Sequence, residues 1–282
     1  MHFFTAFLEI LCYVCLPPFA FGLAVWGCRR AFCFFVGDDS GLPLIRAVSV
    51  LSTPVREAGH AMTAVLFFHR LEEVRMLNLH DPDGEYGYVE HSYNPRNPIA
   101  VLGNFFYALG PAITGLFLVL VILLCCFNGI LAPFFNTLTA LGEQGAGFAA
   151  YASATGALLA GMFGAGGGPV MLRIIGCVLL LALCFGVHIA PIEIFDSLAG
   201  LGIFAGITAA GLGLVMLFDD GRVGQIVLSA FRTYATAVTA LFLIVLAFAL
   251  MAVLIGALFG VVRTLFNIDK SYLDDGEDYE ED

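Results

Sequence analysis

Hydrophobic residues fall along this chain in long runs broken by short polar stretches. The first run covers residues 3–26, enough for the ~20 residues that cross a bilayer core. Pro17-Pro18 inside it predicts a kink or break. Glu9, in the same run, either reaches the near interface or faces a cavity. Further runs cover residues 44–68, 99–127, 170–190, 194–218 and 227–262. The last is too long for one straight span, so it predicts strong tilt or a preceding interfacial helix. A polar stretch, 71–98, separates the second and third runs, and its parts 73–79 and 86–93 alternate like strands. His80-Asp81-Pro82-Asp83-Gly84 between them is a turn signal, so a β-hairpin at the membrane surface is expected. Residues 128–169 are rich in Ala and Gly with Glu143 as the only charge, and the glycine-rich run that ends them, 164–169, is expected to be a flexible connection. Before that run, 145–163 fits an interfacial or re-entrant helix.

Composition strengthens this pattern. The chain is 60% hydrophobic and 12% charged, against about 45–50% and about 25% for soluble domains. The expected fold is an all-α polytopic membrane protein of about six transmembrane helices with a small surface hairpin. Residues 1–266 form one membrane-embedded domain, and 267–282 an acidic tail expected to be disordered. That tail supplies much of the net charge of −11, and nothing points to nucleic acid. The eight cysteines lie in or beside apolar runs and are read as small hydrophobes, with no zinc or disulfide framework. The apolar N-terminus has no basic n-region, so a transmembrane segment is expected there and not a cleaved signal. Arginines and lysines fall about evenly on the two sides, so charge does not orient the chain.

One polar cluster lies inside the second run: Arg56-Glu57-Ala58-Gly59-His60. Ionisable groups at that depth usually mark a functional site. The i+3 and i+4 spacings let all three ionisable side chains lie near one helical face. The cluster is one residue from the zinc-protease motif H-E-x-x-H, with Arg56 where the first histidine ligand would stand. Two further pieces follow, Ala108-Leu109-Gly110-Pro111-Ala112-Ile113-Thr114 and His188-Ile189-Ala190-Pro191-Ile192-Glu193-Ile194-Phe195-Asp196.

In order and spacing these pieces resemble the site-2 protease family of intramembrane zinc proteases, over about residues 50–200. The resemblance implies Glu57 as general base, with His60 and Asp196 as zinc ligands. It also implies a surface sheet that helps hold an extended substrate. The chain departs from the family at Arg56, at Thr114 in the Gly-Pro element, and at His188, where the family has asparagine. The stretch also looks like a bacterial group of site-2-protease-like membrane proteins without an assigned substrate. The implied location is the bacterial cytoplasmic membrane.

A catalytic Zn²⁺ takes about three protein ligands plus a water. Arginine cannot be one of them. His91 on the hairpin, or His188, is the candidate substitute third ligand. The expected function is binding, with or without hydrolysis, of a transmembrane or juxtamembrane peptide in the bilayer. One alternative is a pseudoprotease in which Arg56 pairs with Glu57 or Asp196 and replaces the metal's charge. Another is a transporter or channel with Glu9, Arg56, Glu57, Glu193 and Asp196 along a polar path.

Overall fold

The computed structural model describes residues 3–37, 42–79, 86–143, 148–164, 168–218 and 222–266. The expected turn at 80–84 and the acidic tail lie outside these residues. Helix α1 is Phe3–Val36 and α2 is Leu42–Leu66. Strands β1 (Arg70–Arg75) and β2 (Tyr88–Ser92) follow. The remaining helices are α3 (Pro98–Cys126), α4 (Asn128–Glu143), α5 (Phe148–Phe163), α6 (Val170–Leu183), α7 (Pro191–Phe218) and α8 (Arg222–Leu265). A 3-10 turn, Cys184–Val187, links α6 to α7.

Among the described residues, five helices are long and apolar enough to cross a membrane: α1, α3, α6 with its 3-10 turn, α7 and α8. The chain is an all-α polytopic membrane protein with a small two-stranded antiparallel sheet. The sixth expected segment is α2, which is a helix but is not one of these five. Arg46, Arg56, Glu57 and His60 make that helix too polar to count by composition. Large apolar side chains stay exposed on the outer faces, among them Phe117, Phe195, Leu217 and Leu258. In a bilayer such faces contact lipid.

One expectation changes, at the prolines of α1. Helix α1 runs through Pro17-Pro18 without a break; it packs along α8, which supports the helix on both sides of the prolines. The helix expected within 145–163 is present as α5, and most of the glycine-rich run after it lies outside the described residues. Helices α4 and α5 pack on each other and on α8. Alanine is the best helix former, and a neighbouring surface makes short helices stable. The last run lies in one continuous helix, α8, of 44 residues.

The functional core is built where α2, α3 and α7 meet. Helix α2 packs on α3, and α3 on α7. Gly59 and Gly110 allow the first contact. A Cβ at Gly59 would sit 2.5 Å from the Gly110 carbonyl oxygen, and one at Gly110 would sit 2.5 Å from that of Gly59. Only two glycines let these backbones touch. Thr114 Oγ1 then donates to the Val55 carbonyl of α2 at 3.2 Å and to its own helix at Gly110, 2.9 Å. The 3-10 turn is seated against α2 in a similar way, since a Cβ at Gly186 would lie 2.7 Å from the Ser52 carbonyl oxygen. The Ile189 N–H donates to the Gly22 carbonyl and ties the α7 entrance to α1.

The hairpin covers this junction. Its register runs from Arg70↔Ser92 to Arg75↔Tyr88, with a bulge between Leu71 and Glu73. Tyr107 on α3 donates its hydroxyl to the Val89 carbonyl at 3.2 Å and pins β2. Gly87 lies directly above α2, where a Cβ would be 3.0 Å from Glu57 Cγ.

Candidate functional site

Arg56, Glu57 and His60 do share one face of α2, and that face meets the first turn of α7. Pro191 is the first residue of α7, a position that needs no N–H donor. Glu193 is two residues further on. Its Oε2 accepts the Ala190 N–H at 2.8 Å, the acidic half of a capping box. Its Oε1 points the other way, into the cluster. Arg56 Nη2 donates to Glu193 Oε1, and Arg56 Nη1 donates to Glu57 Oε1 at 2.7 Å. One guanidinium thus joins two carboxylates from different helices.

His60 is held from both sides. Pro111 has no N–H, so the Tyr107 carbonyl four residues earlier is left without its helical donor. His60 Nδ1 fills that vacancy and donates to Tyr107 O at 3.1 Å. Its ring also stacks on the Tyr107 ring, with centroids 4.3 Å apart. The other nitrogen, Nε2, faces Glu193 Oε1 at 3.2 Å. Glu57 is 1% exposed and His60 2%, so both are shut off from the surface except through the cavity.

That cavity has a volume of about 710 Å³. Its walls come from α1, α2, the hairpin, α3, the 3-10 turn and α7. Asp196 and His188 both line it. His188 Nδ1 bonds the Phe185 carbonyl of the 3-10 turn. His91 lines the cavity from β2 and lies against Tyr107, with centroids 4.2 Å apart. A further histidine, His69, stacks on His91 at 4.9 Å and bonds the Ala100 carbonyl. Burial holds the His91 imidazole below its ordinary pKa, and positive charge on His69 and His60 acts in the same direction. Glu9 is not among the residues that line the cavity. The eight cysteines are free thiols and do not line it either.

The cavity therefore gathers all the candidates Arg56, Glu57, His60, His91, His188 and Asp196, but not as one ligand set. Among the described residues, no group of three or more His, Cys, Asp or Glu side chains is arranged to hold a metal ion. The His60 Nδ1–H bond to a carbonyl is the orientation a zinc-bound histidine uses. Yet Nε2, the atom that would meet the metal, meets the carboxylate that Arg56 holds. The donors present do not fit a zinc ion. From the sequence, Glu193 reads as a helix-start charge or as one point on a polar path. The Pro191–Glu193 spacing signalled a helix start but not which side chain the second carboxylate oxygen would reach.

The chain matches no family model, no curated protein and no solved structure.

Proposed function

We propose that this protein binds a transmembrane or juxtamembrane peptide in the cavity over Arg56, on a bundle related to the site-2 proteases, and does not hydrolyse it. The observation that carries this reading is the guanidinium of Arg56 between Glu57 and Glu193. A general base must be open to take a proton from water. Glu57 Oε1 already accepts a charge-assisted bond from a group that never gives up its proton. The same permanent positive charge opposes a divalent cation at this point.

A peptide-binding role needs none of that chemistry. The hairpin has two strands, and the outer edge of β2 carries no third strand among the described residues. Tyr88 and Val89 of β2, with Tyr86 and Gly87 just before it, line the cavity. An extended peptide can add to such an edge by main-chain hydrogen bonds. On the same resemblance, the membrane is the bacterial cytoplasmic membrane.

The test uses the full chain, purified in mild detergent. Metal analysis is expected to find far less than one zinc per chain. A synthetic membrane-segment peptide carrying a photo-crosslinker is expected to label the hairpin and to remain intact on prolonged incubation. Stoichiometric zinc, or a cleavage product that disappears in Glu57→Gln, would overturn the non-hydrolytic reading. Failure of any peptide to crosslink would overturn the binding role.

A further inference from the structure

Helix α1 contributes a wall to the cavity that the motif residues do not touch. Trp26, Arg29 and Arg30 stand at i, i+3 and i+4, so they share one face, and all three line the cavity. Arg29 is half-buried. The Arg30 guanidinium carbon lies 5.7 Å from the centre of the Trp26 ring, a cation–π contact that fixes where this side chain points. Among the described residues, no carboxylate forms an ion pair with Arg29 or Arg30. The cations on the two walls thus differ in state. Arg56 is matched by Glu57 and Glu193, whereas among the described residues neither of the two adjacent cations on α1 forms an ion pair. Two adjacent guanidinium groups repel each other, and the half-buried one has lost part of its hydration.

We infer that the α1 wall is an acidic-side-chain subsite: the bound peptide carries an aspartate, a glutamate or a terminal carboxylate that lands between Arg29 and Arg30. This deepens the peptide-binding role proposed above and rests on it. Guanidinium groups match carboxylates in a bidentate fork, which fits a carboxylate better than a neutral amide. A lipid phosphate shares the negative charge. The remaining walls favour peptide over lipid, because β2 carries no third strand among the described residues and its free edge can take a peptide's main chain.

Trp26 is the single tryptophan of the chain, so tryptophan emission, excited at wavelengths that tyrosine does not absorb, reports from this wall. The full chain, in nanodiscs of phosphatidylcholine, is titrated with a short extended peptide containing two aspartates. A second peptide has asparagines in their place. A charge-assisted bond contributes about 1.5–3 kcal/mol, so the acidic peptide is expected to bind at least about tenfold more tightly. Arg29→Gln with Arg30→Gln should remove that preference. Arg29→Lys with Arg30→Lys should keep part of it, and so guards against a variant that fails through misfolding. Equal affinity of the two peptides, or an unchanged preference in the glutamine variant, would overturn the subsite while leaving peptide binding in place. If neither peptide moves Trp26 emission nor is retained on the immobilised protein, the peptide-binding role itself fails and the subsite with it. A shift produced by added phosphatidylglycerol, dependent on the two arginines and without any acidic-peptide advantage, would make this a lipid headgroup site and overturn the inference.

Discussion

Arg56 is the residue on which the others depend. Its two terminal nitrogens hold Glu57 and Glu193, both largely buried, and Glu193 in turn faces His60. Breaking a buried pair by removing one partner costs about 3–5 kcal/mol, because the other charge is left unpaired. Arg56→Ala is therefore expected to lower the thermal midpoint in detergent clearly. Adding Glu57→Gln and Glu193→Gln to it should recover most of the loss. A neutral Arg56→Ala would remove the structural role assigned to the pair. His91 gives a second expectation at this scale. Its folded-state pKa lies below the ordinary 6.5 through burial first and neighbouring histidine charge second. The unfolded chain thus binds its proton more readily. The contribution of neutral His91 is complete above 6.5 and is lost as the pH falls below it. The thermal midpoint measured against pH should fall on the acid side, and His91→Gln should flatten that limb. Identical limbs would show that the hairpin histidine is not responsible.

Helices α2 and α3 depend on two glycines for their close crossing. A methyl group at Gly59 would lie 2.5 Å from a backbone oxygen of Gly110, which cannot move as a side chain can. Gly59→Ala should part the helices, at a cost of about 1–3 kcal/mol, and shift His60 away from the Tyr107 carbonyl. Gly27 on α1 is the control, because a Cβ there meets nothing within 4 Å. Gly27→Ala should be neutral or stabilising by up to about 1 kcal/mol in a helix interior. Thermal unfolding of the two variants side by side tests the crossing, and equal effects would contradict it. The hairpin was legible as an element from its alternation, yet its strands are shorter than the alternating stretches, 70–75 and 88–92 instead of 73–79 and 86–93. Alternation marks which side chains face one way, but pairing ends where the partner strand ends.

The molecule as a whole is a membrane bundle with a polar cavity at the α2–α3–α7 junction, under the hairpin. Its surface carries exposed Phe, Leu and Ile side chains along α3, α7 and α8, as a lipid-facing surface does. Helix α5 was legible in the sequence as a helix within 145–163, whereas α4 was not. Both pack on each other and on α8, a surface that the local sequence does not show.

By itself the sequence determined the membrane class, the main helices, the hairpin and the polar cluster at residues 56–60. Those features follow from local hydrophobicity and from the cost of charge in hydrocarbon, which each stretch carries regardless of its neighbours. Tertiary structure alone decided which groups meet. It chose Glu193 to face Arg56 and His60, gave His60 the carbonyl that Pro111 leaves free, and brought Arg29 and Arg30 into the same cavity. These pairings join residues far apart in the chain. They are set by backbone approach at glycines and by the directions in which side chains leave their helices, and neither is written in the spacing of any one motif.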